Sequence, residues 1–187
     1  YQRASKYWFY SGNMTYSQNL YKEHRNQYNF WPIEDSLIGS PIYYLDIYDV
    51  SRMEDSIETP IGLVGSRYDP HFISLAKLRI TPTEGRFEIH QPDSINISAK
   101  IDMPAKHREI LQQYPSLPLK LRLALFSGNK WLKDLELAIS GGDLLSPSII
   151  FKGSPQLGTG KYQLMFALEV PGYHPTHNSD RYVLIVK

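Results

Sequence analysis

The sequence predicts an α+β chain in two parts. A small N-terminal helix, loop and strand unit spans residues 1–60, and an antiparallel β-sandwich follows over residues 61–187. Three observations carry that reading. Short runs with a period of two recur from residue 61 onward, turn signals separate them, and the first 40 residues show no such period.

Taken in order, a short helix is expected over residues 2–10, where Ala4, Tyr7 and Trp8 fall at i, i+3 and i+4 and Ser11-Gly12 supplies the stop. Residues 13–39 read as a polar, aromatic loop that contains a turn of helix over 34–37 before Gly39. PIYYLDIY, residues 41–48, reads as a strand, and the acidic residues 49–60 as a connector. Strands are then expected over 61–64, 73–80, 86–90, 95–101, 119–126, 132–139, 148–151, 162–170 and 182–186. Leu119, Leu121, Leu123 and Leu125 face one way and Lys120 and Arg122 the other. Leu135, Leu137 and Ile139 alternate with Glu136 and Ala138, as in antiparallel sheets packed on one side. Ser127-Gly128-Asn129-Lys130 joins two of these strands as a hairpin, Gly141-Gly142-Asp143 ends the next, and Gly158 to Gly160 precedes another. Between strands, Pro104 with Ile110, Leu111 and Tyr114 predicts a short helix over 104–114. Alternation defines faces and not neighbours, so both an Ig-like and a jelly-roll-like strand order satisfy the pattern.

Composition narrows the function classes. The chain has 42% hydrophobic and 21% charged residues, and no apolar run approaches the ~20 residues a membrane-spanning helix needs. Without a signal peptide and with an abrupt helix-like start, it is expected to be a segment of a longer protein. Zero cysteines excludes disulfides, thiolate metal sites and cysteine nucleophiles. Net charge is +1 but uneven: residues 1–31 carry +3, residues 32–69 carry −6 and the remainder +4. Basic residues do not cluster with aromatics on a repeated strand face, so no nucleic-acid partner is expected.

The first 31 residues hold ten of the chain's 24 aromatics, and residues 25–35 read RNQYNFWPIED. Rings with polar tips suit surfaces that are dry at one end and wet at the other, such as a protein partner, a sugar or lipid headgroups. Tyr28, Phe30 and Trp31 are able to stack on a pyranose while Asn26, Gln27 and Asn29 bond to its hydroxyls. Docking of the same rings against a part of the protein outside this sequence is the favoured alternative.

Other chemistry is thinly supported. His174 and His177 are spaced to share a metal if a third ligand comes from elsewhere, but a turn set by Pro171, Gly172 and Pro175 with Asn178 and Ser179 bonding to backbone explains the segment better. No G-x-S-x-G elbow occurs, and GSPQLGTG, residues 153–160, lacks the ending of a phosphate loop. Glu34 and Asp35 with Asp46 and Asp49 offer a conceivable carboxylate pair for glycoside hydrolysis, although Asp46 is equally suited to capping or to pairing with a base such as Arg25. No cofactor and no metal are expected.

The run YQRASKYWFYSGNMTYSQNLYKEHRNQYNFWPIEDSLIGSPIYYLDIYD resembles the segment after the last membrane helix in bacterial, chiefly Bacteroidetes-like, members of the dolichyl-phosphate-mannose-protein mannosyltransferase and aminoarabinose-transferase-like superfamily. LGTGKYQLMFALEVPGYHPTHNSDRYVLIV is similar to the end of the same proteins, and the two runs cover roughly 80 of the 187 residues. The resemblance implies the soluble tail of a polytopic membrane enzyme that moves a sugar from a polyprenyl-phosphate donor to an acceptor at the periplasmic face of the inner membrane. Its catalytic acids would lie in the N-terminal membrane part, so no catalytic residue is carried over. Arg25, Tyr28, Trp31, His174, His177 and Asn178 become candidates for contact with that membrane domain, with the donor headgroup or with a glycan acceptor. A secreted carbohydrate-binding β-sandwich is the alternative.

Overall fold

A computed structural model of the chain describes residues 2–18, 21–22, 27–60, 62–90 and 94–187. Among the described residues, α-helices lie at Gln2–Ser11 (α1), Ile33–Leu37 (α2) and Ala105–Gln113 (α3). The strands described run Ile42–Asp46 (β1), Asp55–Thr59 (β2), Gly62–Asp69 (β3), Arg79–Pro82 (β4), Arg86–Ile89 (β5), Ile95–Asp102 (β6), Pro118–Ser127 (β7), Lys130–Ser140 (β8), Ser148–Gly153 (β9), Gly160–Glu169 (β10), Thr176–His177 (β11) and Tyr182–Val186 (β12). The expected α+β arrangement, a small helical start followed by packed antiparallel sheets, is what the chain adopts.

The sandwich forms because two alternating patterns close on each other. One sheet has the order β5-β12-β10-β7-β8, with β11 added on β10; the other has the order β4-β6-β9. Leu119, Leu121, Leu123 and Leu125 point inward from β7, Leu164, Phe166 and Leu168 from β10, and Leu184 and Val186 from β12. They meet Ile80 on β4, Ile95, Ile97, Ala99 and Ile101 on β6, and Phe151 on β9, all in one buried cluster. Phe151 and Phe166 bridge the sheets edge to face at 6.0 Å. Strand β6 alternates without a break between buried and exposed positions, the mark of a sheet with one dry face. One pair departs from the antiparallel expectation, since β12 and β5 run parallel.

The hairpin over residues 127–130 is as read: Ser127 pairs with Lys130, and Gly128 takes φ +57 between them. Helix α3 enters from Pro104 and buries Leu111. Two expectations change. Residues 73–78, read as strand, are irregular, because the Leu75 and Leu78 carbonyls accept from the Asn178 amide at 2.7 and 2.9 Å instead of from a neighbouring strand. The acidic connector contains β2, a polar strand with no apolar face, which forms because β3 offers it an edge.

A third sheet, ordered β1-β3-β2, takes strands from both sides of residue 60. The expected boundary therefore falls between two paired strands. On its inner face Ile42, Tyr44 and Asp46 stand with Arg67 and Asp69, and on its outer face Tyr43 pairs with Tyr68. The back of the larger sheet is covered too. Ala124, Phe126, Met165 and Ala167 are buried there together with Tyr21 from the leading segment. The Tyr21 hydroxyl donates to Asp134, and the Lys22 ammonium sits 3.4 Å from the Trp131 ring centroid.

Candidate functional site

The densest polar and aromatic constellation lies where the inner face of the third sheet, the loop after β10 and the leading segment converge. Strand β1 presents Tyr44 and Asp46 on one side because strand side chains alternate. Gly172 adopts φ +82 and turns the loop so that Tyr173 and His174 face back toward β1. His174 Nε2 lies 2.6 Å from Asp46 Oδ2, while Asp46 Oδ1 accepts the backbone N–H groups of Tyr48 and Asp49 at 2.7 and 3.2 Å. Asp46 thus caps its own turn and pairs with an imidazole, so the base it meets is His174.

Arg67 lies over the faces of Tyr44 and Tyr173, with its guanidinium carbon 5.5 and 4.7 Å from the ring centroids. The Tyr173 hydroxyl donates to Asp69. Burial raises the Tyr44 and Tyr173 phenols above their ordinary range; Asp46 adds to the effect on Tyr44, and the hydrogen bond to Asp69 adds to that on Tyr173. Both therefore stay neutral donors at physiological pH. From the leading segment, Gln18 Nε2 donates to the His174 carbonyl at 2.6 Å and its Oε1 accepts from Tyr44 at 3.4 Å. The depression among Tyr44, Asp46, Asp49, Met53 and His174 has a volume of about 20 Å³, room for a single water. Chemically it is a latch that fixes loop, strand and leader, and it is too small for a sugar ring.

A shallower groove of about 310 Å³ runs along Arg79, Thr81, Asp180 and Tyr182. Its floor is Asn178 and Ser179. Asn178 is fully buried; its amide donates to Leu75 and Leu78, and its Oδ1 accepts from the Leu168 N–H at 2.7 Å and the Thr176 hydroxyl at 2.8 Å. Ser179 Oγ accepts the Phe166 N–H at 2.7 Å. These groups are committed to the fold.

The residues singled out in the sequence separate into different settings. Arg25 lies outside the described residues. Tyr28 is buried, within hydrogen-bond reach of Ser5 Oγ at 3.2 Å and in edge contact with Tyr16 and Trp31. Trp31 is 44% and Phe30 65% exposed. His174 belongs to the latch, whereas His177 is buried in the two-residue strand β11 against Ala167. Among the described residues no three His, Asp or Glu side chains are grouped to hold a metal.

The four acids considered as a pair are engaged separately. Ser74 donates to a buried Glu34, whose carboxyl is pushed up by burial, with Ser74 and Lys77 opposing that shift. Asp35 pairs with Lys77 at 2.5 Å. The latch itself escaped sequence reading because Asp46 and His174 are 128 positions apart and neither sits in a motif. His107 is likewise new: it is 1% exposed, and neither ring nitrogen has a hydrogen-bond partner among the described residues.

No protein-family model matches the chain, and no curated protein matches it. Among solved structures it is similar to part of the twitchin kinase region from C. elegans, at 11% identity and a TM-score of 0.27, covering 65% of this chain and 18% of that one. It is also similar to part of the extracellular domain of a hybrid two-component system from B. thetaiotaomicron, at 13% identity and a TM-score of 0.28, covering 70% and 19% of the two chains. The chain spans about a fifth of either, and neither likeness bears on function.

Proposed function

We propose that this chain is the non-catalytic extramembrane domain of a polytopic membrane glycosyltransferase that uses a polyprenyl-phosphate sugar, placed at the periplasmic face to help position acceptor or donor. The observation that supports it is the seating of the leading segment on the β body. Gln18 is tied to the His174 carbonyl and Tyr21 is buried on the back of the larger sheet, while Tyr28 packs within the segment against Tyr16 and Trp31. A connector held at two points on the body transmits a fixed orientation from whatever precedes it, which a positioning domain requires. The sequence resemblance points the same way. No helix among the described residues is long and apolar enough to cross a membrane, so spanning helices would have to come from another part of the parent.

The secreted carbohydrate-binding alternative draws on the exposure of Phe30 and Trp31. Two measurements together decide between them. The full open reading frame is expected to encode multiple apolar spans upstream of Tyr1, and the isolated chain is expected to bind no glycan on an array. A lone signal peptide with glycan binding that is lost in Trp31→Ala would overturn the transferase reading.

A further inference from the structure

We propose that α1 and the neighbouring turn form a lipid-facing surface that binds an anionic bilayer. At about 100° per residue, Ala4 and Trp8 share the half-buried side of α1, while Phe9, Lys6, Tyr10, Arg3 and Tyr7 fill an exposed arc of about 160°. Tyr7 is 54%, Phe9 81% and Tyr10 82% exposed, and Phe9 and Tyr10 meet edge to face at 5.2 Å. The arc is wholly aromatic or basic, and no acid lies in the helix.

Beside it, the Ser5 to Tyr28 contact brings in the turn that carries exposed Phe30 and Trp31. The acids that follow that turn are both engaged, Glu34 with Ser74 and Asp35 with Lys77. Burial pushes the Glu34 carboxyl up. Rings with polar tips beside long-stemmed cations match the headgroup zone, where the ring body enters the acyl boundary and the cation meets lipid phosphate. Charge complementarity selects the lipid over a second copy of the chain. An isologous contact through this face would bring Arg3 and Lys6 of each copy against the same residues of the other.

Lipid contact by α1 deepens the reading above and rests on it for the identity of the parent, yet the two fail separately. Flotation of the full 187-residue chain would use vesicles of phosphatidylcholine alone and of an equimolar mixture with phosphatidylglycerol, at low and high salt. Binding is expected on the mixed vesicles and to weaken with salt. R3Q/K6Q should erase about a twenty-five-fold preference for them, two surface cations each contributing about a fivefold factor. F9A/Y10A should lose binding to both vesicle types while unfolding at the same temperature as the parent chain. Binding that ignores lipid charge and both double substitutions overturns the lipid surface, and so does a dimer that dissolves in F9A/Y10A. Vesicle binding by a chain whose gene encodes no spans would instead overturn the transferase reading and leave the surface standing.

Discussion

Asn178→Ala measures how much of the fold hangs on one buried amide. The substitution strips a donor from two buried carbonyls, Leu75 and Leu78, and an acceptor from the Leu168 N–H. The Thr176 hydroxyl keeps its bond to the Leu168 carbonyl at 3.2 Å and loses least. The Leu75 carbonyl keeps the Leu78 N–H at 3.1 Å, so two orphaned backbone groups, the Leu78 carbonyl and the Leu168 N–H, at about 1–3 kcal/mol each and partly relieved by relaxation, give an expected loss of about 2–5 kcal/mol. For a chain of this size that corresponds to a fall in Tm of roughly 5–13 °C. Urea unfolding followed by circular dichroism and tryptophan fluorescence reads it as a lower midpoint at unchanged slope. Asn178→Asp should be at least as damaging at neutral pH, because a carboxylate would face two carbonyls, and should recover toward acid pH as it regains a proton to donate. A loss below about 1 kcal/mol in Asn178→Ala would refute the claim that this side chain organises the irregular 73–78 segment and its junction with β10.

Four further outcomes are expected. Arg122→Met should cost about 2–3 kcal/mol at neutral pH, since Asp134 and Glu169 are left largely buried without their cation, and the cost should shrink in acid; urea midpoints across pH read it. His107 and Glu34 should bend the pH-stability curve in opposite senses. Burial lowers the folded-state His107 pKa below 6.5, so its contribution is lost as pH falls through that value, and His107→Phe should flatten the acid limb. Burial raises Glu34 above 4.5, so stability is lost as pH rises past that value, and Glu34→Gln should stabilise at pH 7 and do little at pH 4. Gly172→Ala should lose about 1–2 kcal/mol by thermal melting, because φ is +82 and an added Cβ would run into the Arg67 guanidinium.

How far the sequence could be read depended on whether the signal was local. Alternation in β7 and β8 placed their leucines against the core because a strand's two faces are written in its own residues. What covers a face is not so written. The outer side of β7 and β10 read as solvated beside Lys120 and Arg122, yet Tyr21, more than a hundred positions away in sequence from Asp134, buries Ala124, Phe126, Met165 and Ala167 there. Strand β2 was invisible for the complementary reason: DSIET has no apolar period, and its pairing is imposed by the β3 edge. The apolar run at 73–78 looked like strand, but its carbonyls were claimed by Asn178. Of the candidate contacts, Trp31 kept its exposure and His174 found Asp46. Asn178 proved structural because its short amide matches four backbone and hydroxyl partners at once.

The seat of Tyr21 has a mechanical consequence. Its ring rests on β7 and β10, the two central strands of the larger sheet, and its hydroxyl is joined through Asp134 to Arg122 and onward to Glu169. A pull on the leading end is therefore delivered to the middle of the sheet and shared by its longest ladders, not to an edge strand that could be peeled away one bond at a time. A domain loaded in that way yields as a unit, so the body keeps its shape while the end that leads into it is moved.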